Sequence, residues 1–200
     1  MSRKYELKKR AERQAQTRQR IVEAAVQLHR TLGPARTSLS DVARLAGVQR
    51  HTLYRHFPDE RSLGLACSGH FFETNPPPDP EPWRGLPDPS TRLRRGLTEL
   101  YEFFDRGGDM FACVLRDAEV DPLTRELVDL RGGASSARIR AVLAEPLPSG
   151  RRVAAALGLA LDFRTWQSLV QRSGLSNAEA AETMVAAVLT QAAGARRRAA

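Results

Sequence analysis

Residues 38–57, SLSDVARLAGVQRHTLYRHF, constrain the fold more than any other stretch of this chain. Their spacing predicts two short helices joined by a tight turn. Ser38 opens the first as an N-cap, and Asp41, three residues on, reaches back to it in a capping-box pattern. Leu39, Val42, Ala43 and Ala46 give that helix an apolar face at helical spacing. Gly47 falls where the chain must turn sharply, in a conformation glycine tolerates. Val48, Leu53 and Phe57 bury the second helix. Gln49, Arg50, His51, Thr52, Tyr54, Arg55 and His56 are left for its outer side. Such a density of donors suits a helix that lies in a major groove and touches both bases and phosphates, and the geometry is helix-turn-helix.

The charge agrees with a polyanion partner for this part only. Residues 1–75 hold 14 Lys/Arg against 7 Asp/Glu, whereas residues 76–200 hold 17 against 16. The excess positive charge therefore sits with the helix-turn-helix. No strongly amphipathic basic helix suggests a membrane surface. The longest weakly polar run, 153–163, is too short for a bilayer, which takes about 20 residues. With no secretory signal in the first twenty residues, a cytoplasmic location is expected, nucleoid-associated when DNA-bound. Cys67 and Cys113 make neither a disulfide framework nor a metal motif and read as buried, reduced thiols. No metal and no cofactor are expected.

Along the chain the pattern is helical throughout, so the fold class is all-α. Residues 1–16 form a basic arm without an apolar stripe, expected to be frayed. Residues 17–60 form the DNA-binding domain, with the helix-turn-helix at 38–57; its first helix runs from about Thr17 to Leu32, where Gly33-Pro34 stops it. A connecting helix, 61–75, starts after the N-cap Asp59. Pro76, Pro77, Pro78, Pro80 and Pro82 make 76–89 a stiff, extended linker. Residues 90–195 form a regulatory and dimerisation domain. Its helices are read as ending at Gly107-Gly108, starting at Pro122, and running unbroken from Arg151 to Arg172. The tail Arg196-Arg197-Arg198 is expected to be disordered. Because 153–163 is apolar nearly all round, a second copy of the last two helices is expected to cover it. The faces assigned to that dimer are Leu157, Leu161, Thr165 and Ser168 with Val185 and Val188. Tyr101, Phe104, Phe111, Phe163 and Trp166 are aromatics suited to an effector pocket, with plain core as the competing reading; Asp162 is a candidate to fix a polar group of the effector, with an interface ion pair as its alternative.

The order of parts resembles the tetracycline-repressor (TetR) family of bacterial transcription regulators. The resemblance rests on RQRIVEAAVQLHRTLG and TSLSDVARLAGVQRHTLYRHFPDERSL and is specific over about residues 17–65. It implies three N-terminal helices for DNA and roughly six more, about nine in total, for ligand binding and dimerisation. It also implies site residues. Gln49, Arg50 and His51 fall where the family contacts base edges or adjacent backbone. Thr37 or Ser38, Thr52, Tyr54 and His56 fall where it contacts phosphates. The family often places lysine at the start of the fourth helix; Glu60 stands there, and Arg61 is the candidate to take over that contact.

The function so implied is a dimeric repressor bound to a palindromic double-stranded operator and released by a small-molecule effector. An activator, an effector-independent regulator and a sequence-independent nucleoid-type protein use the same residues and remain alternatives. No Gly-rich phosphate loop, nucleophile elbow or metal-ligand cluster suggests an enzyme.

Overall fold

The computed structural model describes residues 3–199, and among them every regular element is helical. The helices are α1 (Arg3–Thr31), α2 (Leu39–Leu45), α3 (Arg50–His56), α4 (Glu60–Thr74), α5 (Pro89–Asp117), α6 (Pro122–Ala144), α7 (Arg151–Ala160), α8 (Phe163–Gln167) and α9 (Asn177–Ala199). A π turn, Ser168–Arg172, extends α8. Two compact units emerge, one of Met1–Thr74 with Asp109–Arg131, the other of Asn75–Gly108 with Gly132–Ala200. Residues 109–131, which the sequence pattern allots to the region 90–195, thus group with the first unit.

In the first unit, Ile21, Val22, Ala25, Val42, Leu53, Phe57, Leu63 and Cys67 form one buried cluster from α1 to α4. Burial of this kind is worth about 25 cal/mol per Å² of apolar surface and is what holds short helices such as α2 and α3 in place. α1 is longer than its apolar stripe: the basic arm, expected to fray, continues the helix back to Arg3. Met1 and Ser2 of that arm lie outside the described residues.

The ends of α5 and α6 finish this unit. Asp117 is buried and accepts from the Ala35 amide at 3.0 Å, while Arg116 donates to the Leu32 carbonyl at 2.7 Å. Both therefore pin the turn that follows α1. Asp121 caps α6 by accepting from the Thr124 amide at 2.8 Å, and Pro122 takes the first helical position. Arg131 of α6 donates to the Leu65 carbonyl of α4 at 2.7 Å.

Cys67 is buried and Cys113 only half-buried, so the sequence reading of two buried thiols holds for the first alone. Burial pushes the Cys67 thiol up to about 12, so it stays protonated. Its Sγ lies 3.3 Å from His29 Nδ1. Burial also lowers His29 to about 4, against the opposing pull of the Asp117 charge. Both groups are thus neutral near pH 7. An unfolded histidine titrates near 6.5, so between about pH 6.5 and 4 the unfolded chain binds the extra proton. Stability is expected to fall as pH drops through that window, by about 2 kcal/mol at pH 5. Urea midpoints at pH 7 and pH 5 check this; a His29→Gln chain with the same pH slope would refute it.

In the second unit the proline-rich segment is not a free linker. Residues Glu81–Gly85 form a 3₁₀ turn that buries Trp83, whose Nε1 donates to Glu99 at 3.1 Å. Arg92 holds the segment down. Its buried guanidinium donates to the carbonyls of Leu86 (2.8 Å), Arg84 (3.0 Å) and Val142 (3.2 Å) and to Glu145 (3.1 Å).

Two further elements depart from the sequence pattern. α5 does not end at Gly107-Gly108. The helix runs through both glycines to Asp117, and a Cβ at Gly108 would meet Gln171 and Trp166 only at ordinary contact distance, 3.4 Å. The helix expected over 151–172 breaks at Leu161. Asp162 there turns extended and caps α8, accepting from the amides of Arg164 (2.8 Å) and Thr165 (3.1 Å). At the C-terminal end, α9 includes residues 196–198, where a disordered tail was expected.

Candidate nucleic-acid interface

The helix-turn-helix is built by local chemistry. Ser38 Oγ accepts from the Asp41 amide at 3.1 Å, and Asp41 Oδ2 accepts from the Ser38 amide at 3.3 Å, completing the capping box. The Ser38 hydroxyl, donating to Asp41 Oδ2 at 2.6 Å, and then the Ser38 amide hold the Asp41 carboxyl below its ordinary range, with Arg44 adding to the effect. At the other end of α2, the Val48 amide donates to Ala43 and the Gly47 amide to Arg44, at 3.0 and 3.2 Å. That is a Schellman closure, and Gly47 meets its left-handed requirement at φ 63°. The two devices fix where α3 begins.

α3 buries Leu53 and, at its C-cap, Phe57. Gln49, Arg50, His51, Tyr54 and Arg55 are exposed, while Thr52 and His56 are half-buried. The outward residues are partly ordered by one another. Arg50 Nη2 lies 3.2 Å from the Tyr54 hydroxyl, with its guanidinium 5.5 Å from that ring's centre. Thr52 Oγ1 lies 3.3 Å from His51 Nε2. Thr37 donates to the Gly33 carbonyl at 2.8 Å, leaving its oxygen lone pairs as acceptors. Arg61, the candidate fourth-helix contact, instead grips Glu126 of α6 at 2.7 Å. Both partners are about half-exposed, so the pair is weakly held and open to exchange for a phosphate.

His56 presents a different picture. Its Nε2 is buried with no hydrogen-bond partner among the described residues, beside a cleft lined by Gln14, Ala15 and Arg18 of α1 and by Arg55. The sequence reading missed Gln14 and Arg18; their four-residue spacing on α1 was the available signal.

The candidates for an effector do not converge. Phe111 belongs to the first unit and packs edge-on against Phe71, ring centres 5.5 Å apart. Tyr101, Phe104, Phe163 and Trp166 do cluster in the second unit, with Phe104 5.5 Å from Phe163 and 6.0 Å from Trp166. Their polar tips are engaged internally: Tyr101 donates to the Ala160 carbonyl at 3.0 Å and Trp166 to Asn177 at 2.9 Å. Asp162 is committed to its cap.

Among the dimer candidates, Leu157, Val185 and Val188 are buried where α7 packs on α9 within one chain, which leaves them unavailable to a second copy. Leu161 and Thr165 are half-buried and Ser168 is exposed. Outward-facing positions on these helices are Ala155, Leu159, Ala186, Ala187, Thr190 and Ala193.

The fold and this surface define an all-helical protein organised around a helix-turn-helix. Residues 21–67 match the family described as bacterial regulatory proteins, tetR family. Over 60 residues the chain is 42% identical to the HTH-type transcriptional regulator TtgR of Pseudomonas putida, a match spanning 30% of this chain and 29% of that protein. The match thus covers less than a third of the curated relative. Over this module the chain is similar to regulators of the tetR family.

The fold extends further than the sequence match. NalD of Pseudomonas aeruginosa, described as the secondary repressor of the MexAB-OprM multidrug efflux pump, superposes with TM-score 0.61 at 21% identity, over 90% of this chain and 96% of its own. The Bacillus subtilis regulator FadR, solved in complex with stearoyl-CoA, gives TM-score 0.60 at 14% identity, over 85% and 96%. Among the described residues no helix is long and apolar enough to cross a membrane.

Proposed function

We propose that the chain is a sequence-specific transcription regulator, acting as a dimeric repressor that a small-molecule effector releases from a palindromic operator. The observation that carries this reading is the α3 surface, with Gln49, Arg50, His51 and Tyr54 exposed on a helix whose start is fixed by the capping box and the Gly47 turn. The tetR-family match across the same residues supports it. Two such helices, one per protomer, would enter successive major grooves. Thr37, Thr52, Tyr54 and His56 would hold backbone, with Arg61 joining them once freed from Glu126.

A dimer is supported by the outward row on α7 and α9, where small side chains around Leu159 allow close helix approach. The effector half of the proposal is supported by the fold shared with NalD and FadR. An effector entering the aromatic cluster would part rings now in contact and change the fluorescence of Trp166. To shift the equilibrium it must bind the DNA-incompetent state more tightly, since equal affinity for both states moves nothing.

Selection from a random duplex pool at about 150 mM salt, where phosphate-only binding is suppressed, tests the reading. An enriched palindrome is the expected result. Binding that vanishes as salt rises, with no enriched sequence, would replace it with a nucleoid-type protein. Arg50→Ala is expected to lose about 1–3 kcal/mol on the selected operator and little on random DNA. Equal losses on both would make Arg50 a backbone contact.

A further inference from the structure

We propose that the two glycine pairs inside α5 and α6 form one joint, at which the first compact unit pivots as a body. The chain has two Gly-Gly pairs, Gly107-Gly108 and Gly132-Gly133. It passes from one unit to the other inside α5 at Gly108–Asp109 and inside α6 at Arg131–Gly132. Each pair therefore sits at one of the two helical crossings. The third crossing, Thr74–Asn75, is the end of α4, with Pro76, Pro77 and Pro78 directly after it.

Packing does not call for glycine at these places. A Cβ at Gly132 or Gly133 would meet nothing within 4 Å, and one at Gly108 would be in ordinary contact. Glycines of α4 and α5 away from the crossings show the opposite case. A Cβ at Gly64 would come within 2.6 Å of Leu127, and one at Gly96 within 2.7 Å of Leu143. Those two admit a neighbouring side chain. A glycine in a helix interior without such a neighbour only loosens the backbone, and small-residue pairs are where long helices bend.

α6 is anchored on both sides of its pair but not at it. Arg131 donates to the Leu65 carbonyl at 2.7 Å and to Ser68 Oγ at 3.1 Å in the first unit, while Ile139, Val142 and Leu143 are buried in the second. Between Thr124 and Ile139 no residue of α6 is buried. α5 is gripped in the first unit through Arg116 and Asp117, and in the second through buried Phe103 and Phe104. Both helices join the same two bodies, so neither can bend alone. Motion at Gly132-Gly133 requires motion at Gly107-Gly108, and this dependence separates a joint from two unrelated soft spots. A change of state in the second unit would then reach the helix-turn-helix through α5 and α6. That use rests on the regulator reading; the joint itself does not.

Hydrogen exchange of the full chain, resolved to short peptides, tests the proposal. In the parent, the amides whose bonds span each pair, about 108–112 and 133–137, should exchange fastest within their helices, frayed ends aside. Gly132→Ala combined with Gly133→Ala should slow 133–137. Helix-interior alanine is favoured over glycine by about 1 kcal/mol, equivalent to about fivefold, so the two together give roughly twenty- to thirtyfold. The deciding result lies in α5. Exchange at 108–112 should slow by at least about threefold, although no residue there is changed. Gly133→Ala alone is the gentler variant and should give the same pattern at about fivefold in α6.

Gly158→Ala on α7 is the control. A Cβ there would be in ordinary contact with Arg140, so it raises helix propensity away from both crossings. It should leave 108–112 at the parent rate. The added methyls of the α6 variants face open space, and unchanged helical circular dichroism checks that they fold. Slowing confined to α6 overturns the proposal. So does equal slowing of α5 by Gly158→Ala, or a parent with no exchange maximum at the pairs. If the random duplex pool yields no sequence, the regulator reading fails by itself, and the cross-effect between α6 and α5 still decides the joint.

Discussion

Gly33→Ala is expected to destabilise the first compact unit by about 3 kcal/mol, on the order of a 10 °C drop in Tm for a chain of this size. Gly33 has φ 97° and ψ 157°, a region essentially closed to residues with a Cβ and costing about 1–3 kcal/mol to enter. The added methyl would also collide with the Asp117 carboxylate and the Arg116 guanidinium. Asp117 would then give up the Ala35 amide, and a buried carboxylate would lose a partner it cannot replace. Thermal unfolding followed by helical circular dichroism reads the loss. DNA affinity should fall with it, because the Gly33 turn leads directly into the Ser38 cap. A melting point within 2 °C or so of the parent would show that the turn relaxes freely, and that Asp117 does not secure it.

The second large effect is expected at Arg92. Arg92→Met should cost about 2–4 kcal/mol, since it leaves the Leu86, Arg84 and Val142 carbonyls without their donor. Most of the loss arises from those orphaned carbonyls. Glu145 remains partly exposed and also pairs with Arg84. Arg92→Lys should recover little of it. A single ammonium cannot reproduce the planar fork that reaches four acceptors at once. Urea unfolding with Trp83 fluorescence reports on the segment most directly affected. A lysine variant of parental stability would mean that the proline-rich turn is held by Trp83 burial alone.

How much of this was written in the sequence differs by element. The helix-turn-helix was legible down to its cap, because the capping box and the Gly47 turn are contacts between residues three to five apart. The family match over residues 21–67 falls on the same stretch. The effector and dimer candidates were less accessible. Leu157, Val185 and Val188 show helical periodicity, but periodicity does not say whether the apolar face is covered by the same chain or by a second one. Gly107-Gly108 was read as a stop, whereas α5 continues through it to Asp117. Asp162 was read as a group to fix a polar part of an effector, whereas its own backbone turn makes it the N-cap of α8. Arg92, Asp117 and the α1–α3 cleft depend on contacts distant in sequence, which no local pattern encodes.

The grouping of 109–131 with the N-terminal helices also bears on how such a chain can be cut or recombined. A fragment ending in the proline-rich segment would carry the whole helix-turn-helix. It would lack Asp117 and Arg116 for the turn after α1, and Glu126 and Arg131 for α4. Its natural crossover points are therefore three, near 74, near 108 and near 131, with 75–108 returned to the other half. Grafting this first unit onto a different second unit would require the donor to bring both pieces. Homologous exchange at the prolines alone would yield chimaeras whose recognition helix is present but whose supporting turn is unpinned.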